Sequence, residues 1–402
     1  MKTIKRILSQ MSNISIPQQK FLLVLFPTIM MLRGRMNYRN MSRYSVLHEK
    51  SFSRNFKKPF DFTDLNHRLI LETIPEANRK MAAIDASFVP KSGKHSYGID
   101  YFWSGVAGRS KKGQEISSLA IVDLDYNTAY NLSVEQTPSG SEIGKKEENR
   151  IDFYLQQIQH NQNYLRAHHI VYIATDGFYS KTRFIDGLVG LGFHQIGRLR
   201  EDANLRYLYK GPHKKRKGAK KKYDGKVKYD DLSRWQFVCE IERGISLYTA
   251  DLNSPRFKRN LRVVYLLDQR NSKKHRYALF FSTDLTLGPL NIFNMYRARF
   301  QIEFIFRDAK QFTGLTDCQA RNKDALNFHF NASLSTLNLL KKQDREQVEN
   351  SNSKVCSIAS WKARYFNEHL LDRFISHLDL NPIFIKNTPQ YEELINYGVI
   401  NA

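Results

Sequence analysis

The chain has 402 residues, enough for two or three packed units, and its net charge of +24 excludes a basic partner and points to a polyanion. That charge is local: residues 1–60 carry twelve Lys/Arg against Glu49 alone, and residues 210–228 carry ten against Asp224 alone, giving +11 and +9. The three cysteines, Cys239, Cys318 and Cys356, form no CxxC pair or Cys/His cluster, which excludes a disulfide framework and a structural zinc and fits a reducing cytosol. Nucleic acid is the leading partner and an anionic membrane surface the second.

The first apolar run is Phe21–Leu32, FLLVLFPTIMML. Twelve residues containing Pro27 are too few to span a bilayer. The run also lies too far from Lys2, Lys5 and Arg6, and lacks the small-residue cleavage site, for a signal peptide. A buried helix over Gln18–Leu32 is expected as the first of the chain. Asn37–Tyr44 and His48–Phe56 read as two short helices around a turn at Ser45–Leu47. They resemble a helix-turn-helix in which Lys50 and Arg54 meet a major groove or its phosphates, although any small basic helical bundle has this pattern. Asp61–Asn78 reads as a linking helix.

Strand signals follow. Ala82–Ala86 is apolar around one acid, Asp85, and Tyr97–Val106, Ser117–Val122 and Thr128–Glu135 complete an antiparallel meander. Glu147–Asn163 is an amphipathic helix. Ile170–Ala174 is wholly apolar, as a strand buried on both faces should be, and runs into Thr175-Asp176-Gly177. A carboxylate there lies where open α/β sheets place ligands. The bland role for Asp176 is a cap for the helix Ser180–Leu191, which Ser180 can fill instead. Gln195–Leu199 is one more strand. Between Asp176 and the next acidic candidate, Glu303, lie further strands at Trp235–Ile241, Ile245–Ala250, Leu261–Leu267 and Tyr277–Ser282, preceded by the basic run His213–Lys228.

Ile292–Phe312, IFNMYRARFQIEFIFRDAKQF, has no Gly or Pro and is expected to be one helix. At about 100° per residue, Tyr296, Arg299, Glu303 and Lys310 fall within an arc of roughly 60°. Alone, such a stripe is most simply a solvated ladder of charge pairs. Its spacing, however, resembles the Tyr-Arg-Glu-Lys signature of insertion-sequence DDE transposases, in which the helix carries the catalytic Glu.

The order of strands and helices from Lys80 to about Leu340 is likewise similar to a ribonuclease-H-like sheet, with carboxylates on its first strand, after its fourth and on a later helix. The expected fold class is therefore α/β: a ribonuclease-H-like mixed sheet with helices, interrupted by an all-β insertion, behind an N-terminal helix-turn-helix-like region. The expected units are 1–60, 80–200, 205–288 with the basic loop 213–228, 289–342 and a helical 343–402. The resemblance implies catalytic and metal-ligating roles for Asp85, Asp176 and Glu303, with two Mg2+ ions and Mn2+ as a substitute. It implies DNA contacts from Tyr296, Arg299 and Lys310, and from an aromatic of the insertion stacking a flipped base, for which Tyr277 is the candidate and Trp235 the weaker one. Lys220, Lys221 and Lys222 are placed to touch phosphates. Double-stranded transposon ends and target DNA, a homodimer on paired ends, no membrane, and a cytoplasmic, nucleoid-associated setting complete the implied picture. Two other readings stay open: a ribonuclease-H-like nuclease without strand transfer, and a non-catalytic DNA-binding regulator. Three carboxylates in one site disfavour the regulator.

Overall fold

The computed structural model describes residues 2–93, 95–144, 149–212, 219–271, 275–348 and 357–400. Among these residues, twelve strands form one mixed sheet: β1 (Lys80–Val89), β2 (Asp100–Ser104), β3 (Arg109–Asp123), β4 (Thr128–Gln136), β5 (Tyr172–Ala174), β6 (His194–Leu199), β7 (Arg206–Leu208), β8 (Tyr223–Lys226), β9 (Gln236–Glu242), β10 (Ile245–Ser254), β11 (Arg259–Asp268) and β12 (Arg276–Ser282). The order is β2-β3-β1-β5-β6-β12-β11-β10-β7-β8, with β4 also on β3 and β9 also on β10. β1 is antiparallel to β3 and parallel to β5, and β5 is parallel to β6. This is a mixed α/β core consistent with a ribonuclease-H-like fold with insertions.

The strands between 205 and 288 do not form a sheet of their own. β12 pairs antiparallel with β6, from Leu279↔Leu199 to Ser282↔Ile196, and so welds this segment onto the core sheet. The expected separate β unit is corrected to that extent.

Helices cover both faces. On one lie α7 (Arg150–His160) and α9 (Thr182–Gly190), whose Tyr154, Ile158, Phe184 and Leu188 pack on Ala82, Ile84 and Ile173. α6 (Gly140–Gly144) and α8 (Gln162–Ala167) flank α7. The other face carries α10 (Pro289–Ala298), α11 (Gln301–Phe312) and the long α12 (Lys323–Val348). Asp123, at the end of β3 and fully buried, pairs with Arg345 of α12 at 2.7 Å.

The N-terminal helices are α1 (Lys2–Gln10), α2 (Ile16–Met31), α3 (Tyr38–Arg43), α4 (Glu49–Asn55) and α5 (Phe62–Thr73). They share the largest hydrophobic core with α10–α12 instead of forming an independent unit: Phe56, for example, lies 4.6 Å from Phe328 of α12, ring to ring. α2 buries Phe21, Leu22, Leu25 and Phe26 as expected of a core helix, but α1 precedes it. α13 (Ile358–His377), α14 (Pro382–Lys386) and α15 (Pro389–Ile395) follow α12. Among the described residues, no helix is long and apolar enough to cross a membrane.

Two further expectations change. The linking helix stops at Thr73, and Ile292–Phe312 is two helices with a tight turn at Arg299-Phe300. There Ile302 and Glu303 donate to carbonyls three residues back, not four.

Candidate active site

Alternation along β1 puts Met81 and Ala83 in the core under α10–α12, and Ala82 and Ile84 in the core under α7 and α9. Asp85 therefore shares the α10–α12 side with Ala83. On β5, Ile173 and Ala174 divide in the same way, so extended backbone carries Asp176 to that side as well. Ala83 and Ala174 are direct partners, and each carboxylate stands two residues beyond its partner in the parallel register. Asp85 and Asp176 thus meet at the carboxyl ends of neighbouring parallel strands. Glu303 reaches the same place from the first turn of α11.

Arg299 joins them. Its Nη2 donates to Glu303 Oε1 at 2.9 Å and its Nη1 to Asp85 Oδ2 at 3.4 Å, with the arginine side chain only 7% exposed. The turn at Arg299-Phe300 aims this guanidinium between the carboxylates. Asp85 Oδ1 also accepts from Ala86 N at 2.8 Å, and Asp176 Oδ1 from Phe178 N at 2.9 Å. Residues 18–247, which include Asp85 and Asp176, match the family described as DDE superfamily endonuclease. The chain belongs to that family. No curated protein matches it significantly.

In this DDE-family chain, burial first, then the Asp176 charge and last that of Glu303, push the Asp85 carboxyl up to about 7 against the pull of Arg299 and the Ala86 N–H. Burial also raises Asp176, while Phe178 N–H, Arg299 and Lys181 hold it down. Among the described residues, no three His, Cys, Asp or Glu side chains stand as a ready metal-ligand set. Arg299 supplies the positive charge between Asp85 and Glu303. The donor chemistry nonetheless fits a hard divalent cation: three carboxylates from three elements, one of them carrying a strongly raised pKa that a cation would relieve.

The same group makes stability depend on pH. A raised acid pKa contributes stability that is complete below the unfolded value near 3.9 and is lost as pH climbs to the folded value of about 7. In metal-free buffer, the unfolding free energy of wild type minus that of Asp85→Asn should fall by roughly 1–4 kcal/mol between pH 4 and pH 7. Urea melts of the two proteins at several pH values measure it; a flat difference would mean the carboxyl is well solvated.

The other candidate residues divide. Tyr296 is half-buried, its ring 4.5 Å from that of Phe280 and 5.6 Å from the Arg299 guanidinium, at the edge of the carboxylate group. Lys310 Nζ donates to Ser87 Oγ at 2.7 Å, on the same side of β1 as Asp85. Arg299 is turned inward by its two carboxylate partners. Lys50 and Arg54 are exposed on α4, beside the buried Phe52 and Phe56.

Tyr277 does not stand free at a groove. Its ring packs 5.0 Å from Tyr265 and 5.6 Å from Tyr229, nearly parallel to both, and its hydroxyl donates to Glu201 O at 2.8 Å. Trp235 is buried against Tyr265. Ser180 does not cap α9 but donates to Arg198 O, and Asp176 itself caps the single 3-10 turn Gly177–Tyr179. Lys220, Lys221 and Lys222 are exposed, with Lys221 paired to Asp224 at 2.7 Å. Residues 213–218 of the basic loop lie outside the described residues.

Sequence reasoning passed over two clefts that flank the carboxylates. One, of about 890 Å³, lies on the Asp176 side and is lined by Phe178, Lys181, Arg198, Arg200 and Arg256. The other, of about 850 Å³, contains Asp85, Glu303 and Lys310 and is roofed by the β2–β3 hairpin. Its signal was present in DYFWS followed by RSKKG, aromatics and then cations across a Gly-containing turn.

Proposed function

We propose that the chain is a DNA transposase that hydrolyses DNA at the ends of an insertion sequence and joins the freed 3′-OH to target DNA. The observation that carries this reading is the convergence of Asp85, Asp176 and Glu303 from two adjacent parallel strands and one helix, within a chain of the DDE superfamily endonucleases. Asp85, Asp176 and Glu303 would hold two Mg2+ ions, or Mn2+ in their place, which supply an activated water and charge for the leaving oxygen.

The chain's own groups do the rest. Arg299 balances Asp85 and Glu303 and keeps both aimed at one point. Tyr296 and Lys310 flank that point, and a hydroxyl and an ammonium there suit the strand beside the scissile phosphate. Lys50, Arg54 and the 220–222 lysines give the duplex its wider electrostatic hold, with a second copy of the chain on the paired end.

The deciding experiment uses the DNA that flanks the coding region, searched for inverted repeats and cloned into a supercoiled plasmid. Incubation with Mg2+ and sequencing of the products should show cuts at the repeats and 3′ ends joined to new sites. Cuts without joining would leave a nuclease, and binding without cuts a regulator.

The lysines should act through phosphates and not through bases. Replacing Lys220, Lys221 and Lys222 by Gln should weaken specific and nonspecific duplexes alike. The slope of log affinity against log salt should fall by about 0.9 for each phosphate that is no longer neutralised. Lys221 shares its charge with Asp224, so Lys220 and Lys222 should carry most of the change. An unchanged slope in a salt-titrated gel shift would make this a solvated loop.

A further inference from the structure

The β2–β3 hairpin has a feature that its own stability does not need. Asp100 Oδ2 accepts from Gly140 N at 2.6 Å and from Arg150 Nη2 at 3.5 Å, and the same Arg150 lies 4.5 Å over the ring of Phe102, which is fully buried. The ribbon is therefore pinned to the body of the protein through its second strand face. Strand alternation then turns Tyr101 and Trp103 outward, at 63% and 62% exposure. One exposed aromatic needs no explanation. Trp103, however, lines the same cleft as Asp85 and Glu303, and the other side chains there include Lys91, Lys111, Lys112, Arg307 and Lys310.

An aromatic face held rigidly among five cations, open to solvent and beside the carboxylates, matches the chemistry of a stretch of unpaired DNA. The cations suit its phosphates, and the indole suits one base. At about 850 Å³ the cleft has room for a nucleotide or two beside the carboxylates.

We propose that the β2–β3 ribbon is a DNA contact in its own right, and that Trp103 stacks an unpaired nucleobase of the strand entering the carboxylate cleft, with Lys111, Lys112 and Lys310 on its phosphates. This rests on the DNA-cutting function proposed above and adds what form of DNA the site holds. The base is unpaired when it binds, so melted or frayed ends bind more tightly than closed ones.

The test uses the full chain in EDTA, which reads binding without cleavage. The two probes are a blunt duplex of about 30 base pairs, long enough to cover one protomer's footprint, and the same duplex with a few unpaired nucleotides at one end, one of them 2-aminopurine. Trp103→Ala should weaken the splayed probe by about 5- to 150-fold and leave the blunt probe unchanged. Stacking should quench 2-aminopurine in wild type and in Trp103→Phe, but not in Trp103→Ala. Equal weakening of both probes, no weakening of either, or a change confined to the mass seen by light scattering, as for a protein-docking face, would each overturn the inference. If wild type binds and cuts DNA while Trp103→Ala behaves like it, the inference alone fails. If wild type binds neither probe, the DNA-cutting function fails first and this falls with it.

Discussion

Asp85→Asn, Asp176→Asn and Glu303→Gln should each lose at least about a thousandfold in nicking rate while binding DNA nearly as wild type does. Each swap keeps the side chain's size and removes one charge. The amide oxygen introduced at position 85 can still accept from Ala86 N, and the one at position 176 from Phe178 N, so the local backbone has no reason to move. What disappears is the charge proposed to hold the ions, worth several kcal/mol in the transition state, and every 1.36 kcal/mol is about a decade in rate. The Asp85 variant has a second signature. Its raised pKa reports crowding of negative charge, so Asn should leave the metal-free protein at least as stable as wild type at neutral pH. Relaxation of supercoiled plasmid, gel shift and thermal melting on the same three preparations read all of this. Full cleavage by any one variant would remove that residue from the site.

Arg345→Met should cost about 3–5 kcal/mol of stability, the usual loss when one member of a buried ion pair is removed. Arg345 Nη1 meets Asp123 Oδ2 at 2.7 Å, with side-chain exposures of 7% and 0%. Asp123 keeps its bonds from Asn78 Nδ2 and from the Asp125 and Tyr126 amides, but none of these brings a full positive charge. Its carboxylate is then stranded in the interior, and α12 loses its tie to the end of β3. Adding Asp123→Asn to the same protein should recover part of the loss, because no unpaired buried charge remains. Urea denaturation of the single and double variants measures both steps. A loss below about 1 kcal/mol would place the pair in the solvated class.

The three acids were legible because their positions are set by local signals: an acid ending an apolar run, an acid before Gly after another such run, and an acid on a helix of known pitch. The role of Arg299 was not. A helical wheel tells which face a side chain shares, yet it cannot tell that the partner, Asp85, lies 214 residues away and draws the cation inward. The turn at Arg299-Phe300 has no Gly or Pro to mark it. α1 does carry a mark, in Ile4, Ile7 and Leu8 at helical spacing, but its many polar residues hide it. Tyr277 shows the opposite error. It opens an apolar strand, which on local pattern alone suggests access to a groove, while its true neighbours, Tyr265 across the β11–β12 pairing and Tyr229 from a turn outside any strand, are set by contacts that no local pattern encodes.

The β6–β12 seam bears on the colloidal behaviour of the molecule. With residues 80–200 alone, β6 would present a row of free amides and carbonyls beside the Asp176 strand, an open template for another chain to add to. β12 covers that row from Ile196 to Leu199. On that side the sheet now ends in β9 and β8, strands of seven and four residues. A margin of short strands is a poor seed for strand-to-strand growth. A chain shortened by excising 205–288 would bare β6 and should precipitate at concentrations the whole protein tolerates, even though every carboxylate remains.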